Sequence, residues 1–162
     1  MKKTFLSLLL LLPVVFLAGC ITPETPKIAY QKTDVTIISV REVQTDSRFT
    51  IKNTNPVNLR GQVEYELFVR GNKVTTGYSS TIEVGANAES TFLLQSRIDI
   101  IKAFGIASDL LNEIQAGKTS VPFQLSGKFR SDLLGIQLEA PVSCSGEIPL
   151  PKLQDLLNIK IK

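Results

Sequence analysis

The segment QVEYELFVR, residues 62–70, decides the fold class because its side chains alternate between apolar and polar. The apolar members are Val63, Tyr65, Leu67 and Val69, and the polar members between and after them are Glu64, Glu66 and Arg70. Successive side chains of an extended chain point to opposite faces, so a period of two places all four apolar residues together. The segment therefore predicts an antiparallel strand with one buried face and one solvated face.

Six neighbouring segments carry similar strand signals. They are residues 34–43, 47–53, 73–84, 89–98, 120–129 and 135–150. Between the strands of residues 62–70 and 73–84, we expect Gly71 and Asn72 to take positive φ in a tight turn. About seven strands with alternating faces predict a mainly β fold, a single antiparallel β-sandwich of two packed sheets.

One segment, residues 98–114, departs from the strand pattern and predicts an inserted α-helix. Its apolar residues recur at helical spacing, at Ile100, Ala103, Phe104, Ala107, Leu110, Leu111 and Ile114. Ser96 with Asp99 fits a capping box at the start, and Gly117 fits a helix end. On this interpretation Phe104, Ala107 and Leu111 face inwards. Residues 149–162 fit either a short helix or an irregular apolar tail.

The first residues are typical of an export signal. Lys2 and Lys3 precede an apolar run over residues 5–18, shorter than the roughly 20 residues that span a membrane. The run ends in Leu17-Ala18-Gly19-Cys20, which resembles the lipobox of bacterial lipoproteins. That resemblance implies cleavage before Cys20, a thioether from Cys20 to diacylglycerol, and acylation of the new amine. The alternative is an ordinary signal peptide that contains a cysteine by chance.

These signals divide the chain into four parts. We predict a lipoprotein signal peptide over residues 1–19, a lipidated N-terminus and tether over 20–33, a sandwich domain over 34–153, and a tail over 154–162. Because Ile21 rather than Asp follows the cysteine, the lipoprotein resemblance implies an outer-membrane anchor facing the periplasm, where the source has two membranes. The location is then the bacterial cell envelope.

Composition argues against several function classes. Loss of Lys2 and Lys3 lowers the formal net charge from +3 to about +1, so no nucleic-acid partner is expected. The chain has no histidine, which removes Ser-His triads and histidine-ligated metals. Cys144 is in phase with Leu138 and Val142 and is expected to be a buried, inert thiol.

Two segments resemble catalytic or ligand-binding motifs but lack features that those motifs require. The segment AGKTS, residues 116–120, lacks the glycine that a phosphate loop needs at position 112, and it leads from helix to strand rather than the reverse. Glu64 and Glu66 share one strand face, but a solvated face is expected there rather than an acid–base pair. We therefore expect no enzyme, no catalytic residues, no metal and no cofactor.

The segment over residues 49–77 resembles the water stress and hypersensitive response domain of the type-2 late embryogenesis abundant family. The residues that carry the resemblance are Phe49, Ile51, Asn53, Asn55, Pro56, Leu59, Tyr65, Leu67, Val69, Gly71 and Gly77. The similarity extends over residues 34 to about 153. It implies an immunoglobulin- or fibronectin-III-like β-sandwich with one helix, and a non-enzymatic role in desiccation and stress.

The asparagine-rich turn also has a direct interpretation. Asn side chains can bond the backbone two residues on, and Pro56 fixes its own φ. We expect residues 53–58 to end one strand and redirect the chain, with no binding role.

Two functions follow from these observations. The first is a lipid-anchored, non-catalytic sandwich that protects or supports envelope components, in contact with the membrane through Cys20 and with envelope proteins or lipids. The alternative is a binding module for lipid or another apolar ligand, with the helix closing over a cavity. A core filled by side chains favours the first, and a ligand-sized apolar cavity favours the second.

Overall fold

The computed structural model describes residues 22–39, 41–104, 107–150 and 152, and its architecture is mainly β. The strands are β1 (Lys27–Ile37), β2 (Glu42–Lys52), β3 (Leu59–Val69), β4 (Asn72–Tyr78), β5 (Ile82–Val84), β6 (Glu89–Asp99), β7 (Ser120–Leu133) and β8 (Ile136–Pro149). The helices are α1 (Ile100–Phe104) and α2 (Ala107–Gln115), both between β6 and β7. The predicted fold class, an antiparallel β-sandwich with few helices, is confirmed.

The strands form two antiparallel sheets. One has the order β1-β2-β6, and the other has the order β4-β3-β7-β8, with β5 also paired to β3. At one edge of the sandwich β1 contacts β8, and at the other edge β6 contacts β4 and β5. The chain crosses from the first sheet to the second through residues 53–58.

Strand β3 confirms the alternation that predicted it. Val63, Tyr65, Leu67 and Val69 are all buried, whereas Glu64 and Glu66 are half-exposed. β3 lies between β7 on one side and β4 with β5 on the other. Its inner face therefore belongs to the core, which in the other sheet includes the stacked rings of Phe49 and Phe92, whose centroids are 5.4 Å apart.

Two predicted strands are each divided in the structure. Residues 42–43 belong with the predicted strand 47–53 to one strand, β2, so eight strands are described rather than seven. Residues 34–43 contain a hairpin, because the Ser39 hydroxyl accepts hydrogen bonds from the N–H groups of Arg41 and Glu42. Residues 73–84 divide into β4 and β5. The backbone N–H of Ser79 bonds the Val63 carbonyl between them. In both places a serine interrupts the strand where the sequence pattern is still β-rich.

The predicted tether over residues 20–33 is too long by seven residues. β1 begins at Lys27, and Lys27 pairs with Lys52 of β2. β1 is an edge strand of its sheet, and most of its side chains are exposed or half-exposed. Because few side chains of β1 face the core, its sequence shows little apolar alternation. Its extended conformation is fixed by pairing with β2.

The predicted helix needs three corrections. It begins at Ile100, because Ile98 and Asp99 still belong to β6. The cap is Asp99 alone, whose carboxylate accepts from the N–H groups of Ile101 and Lys102, while Ser96 is buried in the sandwich. Leu111 is exposed rather than inward. The side chains of Phe104 and Ala107, and the tail after residue 152, lie outside the described residues.

Two tight hairpins use positive backbone angles. Between β3 and β4 the residues with positive φ are Arg70 (φ 54°) and Gly71 (φ 81°). The prediction is confirmed for Gly71 and wrong for Asn72, which is the first residue of β4. Between β7 and β8 they are Leu134 (φ 55°) and Gly135 (φ 80°). A two-residue turn of this kind needs positive φ at both central positions. Gly117, at φ 81°, ends α2 as predicted.

Candidate functional site

A pair of buried asparagines organises the connection between the two sheets. Asn53 and Asn55 are 1% and 2% exposed. The backbone N–H of Asn55 donates to Asn53 Oδ1 at 2.9 Å, so the side chain bonds the backbone two residues on, as expected. We call residues 53–58 the asparagine junction.

Asn53 uses its whole amide. Its Nδ2 group donates to the carbonyls of Val57 and Gly85, both at 2.8 Å, while its Oδ1 accepts from Asn55. Its backbone N–H donates to the Ala88 carbonyl at 2.9 Å. The junction is thereby fixed to the turn that joins β5 to β6. Because one side chain must both donate twice and accept, no other small residue fills this position equally well.

Asn55 holds the segment that precedes β1. Its Nδ2 donates to the Glu24 carbonyl at 2.8 Å, and its Oδ1 accepts from the Glu24 N–H at 2.7 Å. Thr54 adds a bond from its hydroxyl to the Glu24 carboxylate at 2.7 Å, and Pro26 is buried. The expected plain turn is therefore also a binding site for the chain's own N-terminal segment.

A tyrosine links the two sheets through the core. The Tyr65 hydroxyl of β3 donates to the Gln95 carbonyl of β6 at 3.0 Å and accepts from the Ser96 hydroxyl at 3.1 Å. Its ring passes over Gly77, where an added Cβ would lie 2.6 Å from the hydroxyl oxygen, and at Gly127 an added Cβ would lie 2.4 Å from the Glu64 carbonyl and 2.9 Å from the tyrosine Cβ. Gly77 thus leaves room for the ring, and Gly127 leaves room for the backbone of β3 beside it.

Cys144 is buried and is not in a disulfide, as predicted. Its thiol donates to the Ser47 hydroxyl at 3.5 Å and accepts from the Thr33 hydroxyl at 3.9 Å. Thr45, also fully buried, has a hydroxyl with no hydrogen-bond partner among the described residues. The inner face of β2 is thus partly polar, which the sequence pattern did not predict.

The outer face of the five-stranded sheet carries a charge cluster. Arg130 contacts Glu64 at 2.5 Å and Glu139 at 2.9 Å, and Lys128 contacts Glu139 at 3.1 Å. Hydrogen bonds from Lys128 and then Arg130 lower the pKa of Glu139. Glu66 instead pairs with Lys73 at 3.0 Å. Glu64 and Glu66 thus have separate cationic partners on an open surface, which agrees with a solvated face.

The surface concavities beside this cluster are shallow and polar. One of about 370 Å³ is lined by Arg60, Gln62, Glu64, Tyr78, Arg130 and Gln137, among others. The Tyr78 hydroxyl contacts the Glu64 carboxylate at 3.2 Å. Most of these side chains already have partners in the sheet, so the depression offers few unpaired groups to a ligand.

Ion pairs also surround the two helices. Glu113 contacts Lys118 and Arg70, at 2.5 and 2.7 Å. The hydrogen bond from Lys118 lowers the pKa of Glu113 and the charge of Arg70 lowers it further. Desolvation raises the pKa of Asp99, but the hydrogen bonds from Lys102 and Arg41 outweigh it and hold that pKa below its ordinary value.

The remaining sequence-predicted features have mixed outcomes. Cys20 and the predicted signal peptide lie outside the described residues. Residues 116–120 lead from α2 into β7, the order expected for a segment that is not a phosphate loop. Among the described residues, no helix has the length and apolar character needed to cross a membrane. The sequence pattern did not predict the hydrogen bonds between Asn55 and Glu24, because these residues are 31 positions apart and only the fold brings them together.

The two sheets, their crossing connection and the intersheet tyrosine define an immunoglobulin-like antiparallel β-sandwich. A profile of the family described as late embryogenesis abundant protein, LEA_2, matches residues 48–146, and the chain belongs to this family. The resemblance seen in residues 49–77 is therefore confirmed. Family membership supports a protein related to stress and desiccation.

Solved structures share the fold at low identity. A protein described as a late embryogenesis abundant protein, At2g46140.1, is 20% identical with a TM-score of 0.61, over 93% of this chain and 86% of its own. AT1g01470 from Arabidopsis thaliana is 16% identical with a TM-score of 0.59, over 86% and 92%. A protein from Archaeoglobus fulgidus is 14% identical with a TM-score of 0.53, over 82% and 100%. No curated protein matches the chain in sequence.

Proposed function

We propose that the mature protein is a lipid-anchored, non-catalytic β-sandwich that protects or supports components of the bacterial envelope under stress. Its anchor is the lipid on Cys20, and its location is the outer membrane facing the periplasm where two membranes exist. Family membership supports the link to stress. The charged start, the short apolar run and the lipobox-like Leu17-Ala18-Gly19-Cys20 support the anchor.

One observation carries the protective role: the described interior is occupied by the protein's own side chains. Buried apolar residues from both sheets and from α1 form one continuous cluster, which includes Phe49, Leu67, Leu94, Ala103, Phe129 and Ile148. The described surface concavities are instead lined mainly by charged and polar residues, with Leu59 and Val84 in one of them. A protein whose core is filled presents its outer surface to partners, which fits a shielding role better than a carrier role.

The surface charges also fit a role without catalysis. Glu64, Glu66 and Glu139 each contact a cationic side chain on an exposed sheet face. An acid–base pair would require one carboxylate with a raised pKa in a closed site. The pKa of Glu139 is lowered instead.

The alternative, a module for an apolar ligand, depends on space beneath the helices. The side chains that would line it, Phe104, Ala107 and Leu110, lie outside the described residues. Among the described residues, the space between the sheets is occupied by the apolar cluster, with a few polar side chains such as Thr45 and Ser47 beside it. The alternative thus stays a prediction with no specific observation in its favour.

The test compares envelope integrity after drying and rehydration in bacteria that produce either the wild-type chain or Cys20→Ser. Mass spectrometry of the mature N-terminus first establishes the modification of Cys20. We expect wild type to reduce leakage of a periplasmic marker and Cys20→Ser to lose that protection, while the matched Cys144→Ser variant keeps it. An unmodified Cys20 in wild type, or leakage unchanged by wild type, would contradict the proposal.

A further inference from the structure

The bonds to Glu24 leave very little slack between Cys20 and the folded domain. Glu24 is held at its backbone N–H, its carbonyl and its carboxylate by Asn55 and Thr54. Only three residues lie between Cys20 and Glu24 in the sequence. Fully extended, the four steps from Cys20 to Glu24 span about 14 Å. A lipid on Cys20 therefore holds this part of the domain close to the bilayer rather than at the end of a long tether.

The same end of the sandwich carries the β7–β8 hairpin. The asparagine junction leads directly into Leu59, the first residue of β3, and Gly61 pairs with Ser131 of β7. Ser131 is two residues before the end of β7, so the turn at Leu134 and Gly135 lies beyond the start of β3. We call this end of the sandwich the junction end. α1, α2 and the β1–β2 turn lie at the opposite, helical end, where the Ile100 N–H donates to the Arg41 carbonyl.

The hairpin tip is apolar and strained. Leu134 is 80% exposed at φ 55°, and Ile136 two residues later is 48% exposed. A bulky L-residue is disfavoured in the left-handed region, where Asn is the usual choice beside glycine. The Leu134 side chain gains almost no contact within the domain in return. A strained and exposed leucine at a loop tip points to a partner outside the fold.

Resting on the proposed lipid anchor at Cys20, we propose that the junction end faces the membrane and that Leu134 and Ile136 insert into the lipid surface. Amphipathic contacts of this kind bury apolar side chains at the level of the headgroups and acyl chains. One lipid anchor and a second apolar contact together fix orientation, which a single flexible tether does not. The outer face of the five-stranded sheet then extends away from the bilayer, and its charge cluster begins close to the tip, because Arg130 pairs with Glu139 three residues from the Leu133–Ile136 pair.

A lipid surface is favoured over a second copy of the chain by the position of the tip. The anchor brings the junction end to within a few residues' reach of the bilayer, and the tip points from that end. Two exposed apolar side chains are also far smaller than the roughly 800 Å² per partner of a stable protein interface. They suffice for an interfacial contact when the covalent lipid supplies the main attachment.

The experiment measures the depth of a probe at each end in the full, lipidated chain. Ile136→Cys at the junction end and Ile38→Cys at the helical end are matched, because these side chains are 48% and 52% exposed. Each is made with Cys144→Ala, labelled with an environment-sensitive fluorophore, and reconstituted in phosphatidylethanolamine–phosphatidylglycerol vesicles with or without brominated acyl chains. Mass spectrometry of each sample verifies the lipid on Cys20.

We expect a blue shift and bromine quenching at position 136 and neither at position 38. Adding Leu134→Asn, which suits the turn, should reduce quenching at 136 while the circular dichroism spectrum is retained. With Cys20 lipidated, a water-like probe at 136, or quenching at both positions, overturns the inference and leaves the anchor standing. A blue shift at 136 without bromine quenching means burial against protein and also overturns it. An unmodified Cys20 overturns both this inference and the proposed function.

Discussion

The two ends of the sandwich are held by different kinds of interaction. At the junction end, Asn53 and Asn55 are almost completely buried, and their neutral amides satisfy backbone groups of three separate segments. At the helical end, Ile100 and Ala103 are buried in the core, and the polar side-chain contacts are ion pairs at or near the surface, such as Arg41 with Asp99 and Lys118 with Glu113. Buried hydrogen bonds are costly to remove, whereas exposed ion pairs contribute little and are screened by salt. The junction end should therefore be the more robust of the two.

The largest expected effect tests whether both ends depend on one shared core. Leu67 is fully buried in the middle of β3, between the two ends. Leu67→Ala should lower the free energy of unfolding by about 2 to 5 kcal/mol, from lost apolar burial and the cavity left behind. The measurement is the urea midpoint of the variant against wild type.

The matched control is the next residue along the same strand. Glu66 points outwards and pairs with Lys73 on the surface. Glu66→Ala should change stability by no more than about 0.5 kcal/mol. Equal losses from the two substitutions would mean that the assigned inner face of β3 is wrong, and with it the idea of a common core.

The second prediction addresses the junction end. Asn53→Ala removes the partners of the Val57 and Gly85 carbonyls and of the Asn55 N–H. Leaving buried groups unsatisfied costs about 1 to 3 kcal/mol each, so with local relaxation we expect a loss of about 2 to 4 kcal/mol. Chemical denaturation checks the value, and amide exchange should show the loss first in residues 53–58.

Asn58→Ala is the control for this prediction. Asn58 is exposed and makes one bond, from the Ala86 N–H to its side-chain oxygen at 2.9 Å. Its replacement should cost about 0.5 to 1.5 kcal/mol, the ordinary worth of one hydrogen bond. If Asn53→Ala is no more harmful than Asn58→Ala, the junction end has no special stability.

The sequence predicted those parts of the fold that depend on local alternation. Where one face of a strand packs on the core, every second side chain is apolar and buried. In β3 these buried side chains are Val63, Tyr65, Leu67 and Val69. The turn chemistry of Asn53 and Asn55 was also readable, since an asparagine bonds its own backbone over two residues. The lipid anchor at Cys20 stays a prediction.

Features that depend on distant partners were not readable. β1 was assigned in part to a tether, because an edge strand with exposed side chains shows little alternation until β2 pairs with it. The helix cap was assigned to Ser96, whose hydroxyl instead bonds Tyr65 across the sandwich. The charge cluster around Arg130 needed the cross-strand register that places it beside Glu64 and Glu139. In each place tertiary contacts override the local pattern.

The third prediction separates the ends by pH. The folded pKa values of Glu113 and Asp99 lie below their ordinary values of 4.5 and 3.8. Such groups stabilise the fold fully above their unfolded pKa, and that contribution is lost as the pH falls through the lower folded pKa. The asparagine amides do not titrate, and Glu139, whose pKa is also lowered, lies on the outer sheet face rather than in the asparagine junction. Acidification below about pH 4.5 should therefore loosen the helical end before the junction end.

Amide exchange measured by NMR over a pH series checks this order. The reporter at the helical end is the Lys118 N–H, bonded to the Glu113 carbonyl, and the reporter at the junction end is the Asn55 N–H. Protection at Lys118 should fall relative to Asn55 on acidification, and Glu113→Gln should remove much of that pH dependence. Parallel loss at both reporters would show that the two ends open together.

The smallest effect is expected at the hairpin tip, and its sign is opposite to the others. Leu134→Asn lowers the backbone strain at a φ of 55° and removes an apolar side chain that is 80% exposed. We expect the free energy of unfolding to rise by about 0.5 to 1 kcal/mol, because asparagine tolerates this region better than leucine. Ile136→Asn, in the extended chain of β8, offers no such relief and should give no gain. If Leu134→Asn stabilises the domain in water yet weakens contact with the bilayer, the leucine costs the fold stability and serves the membrane, as expected for a functional residue at a strained position.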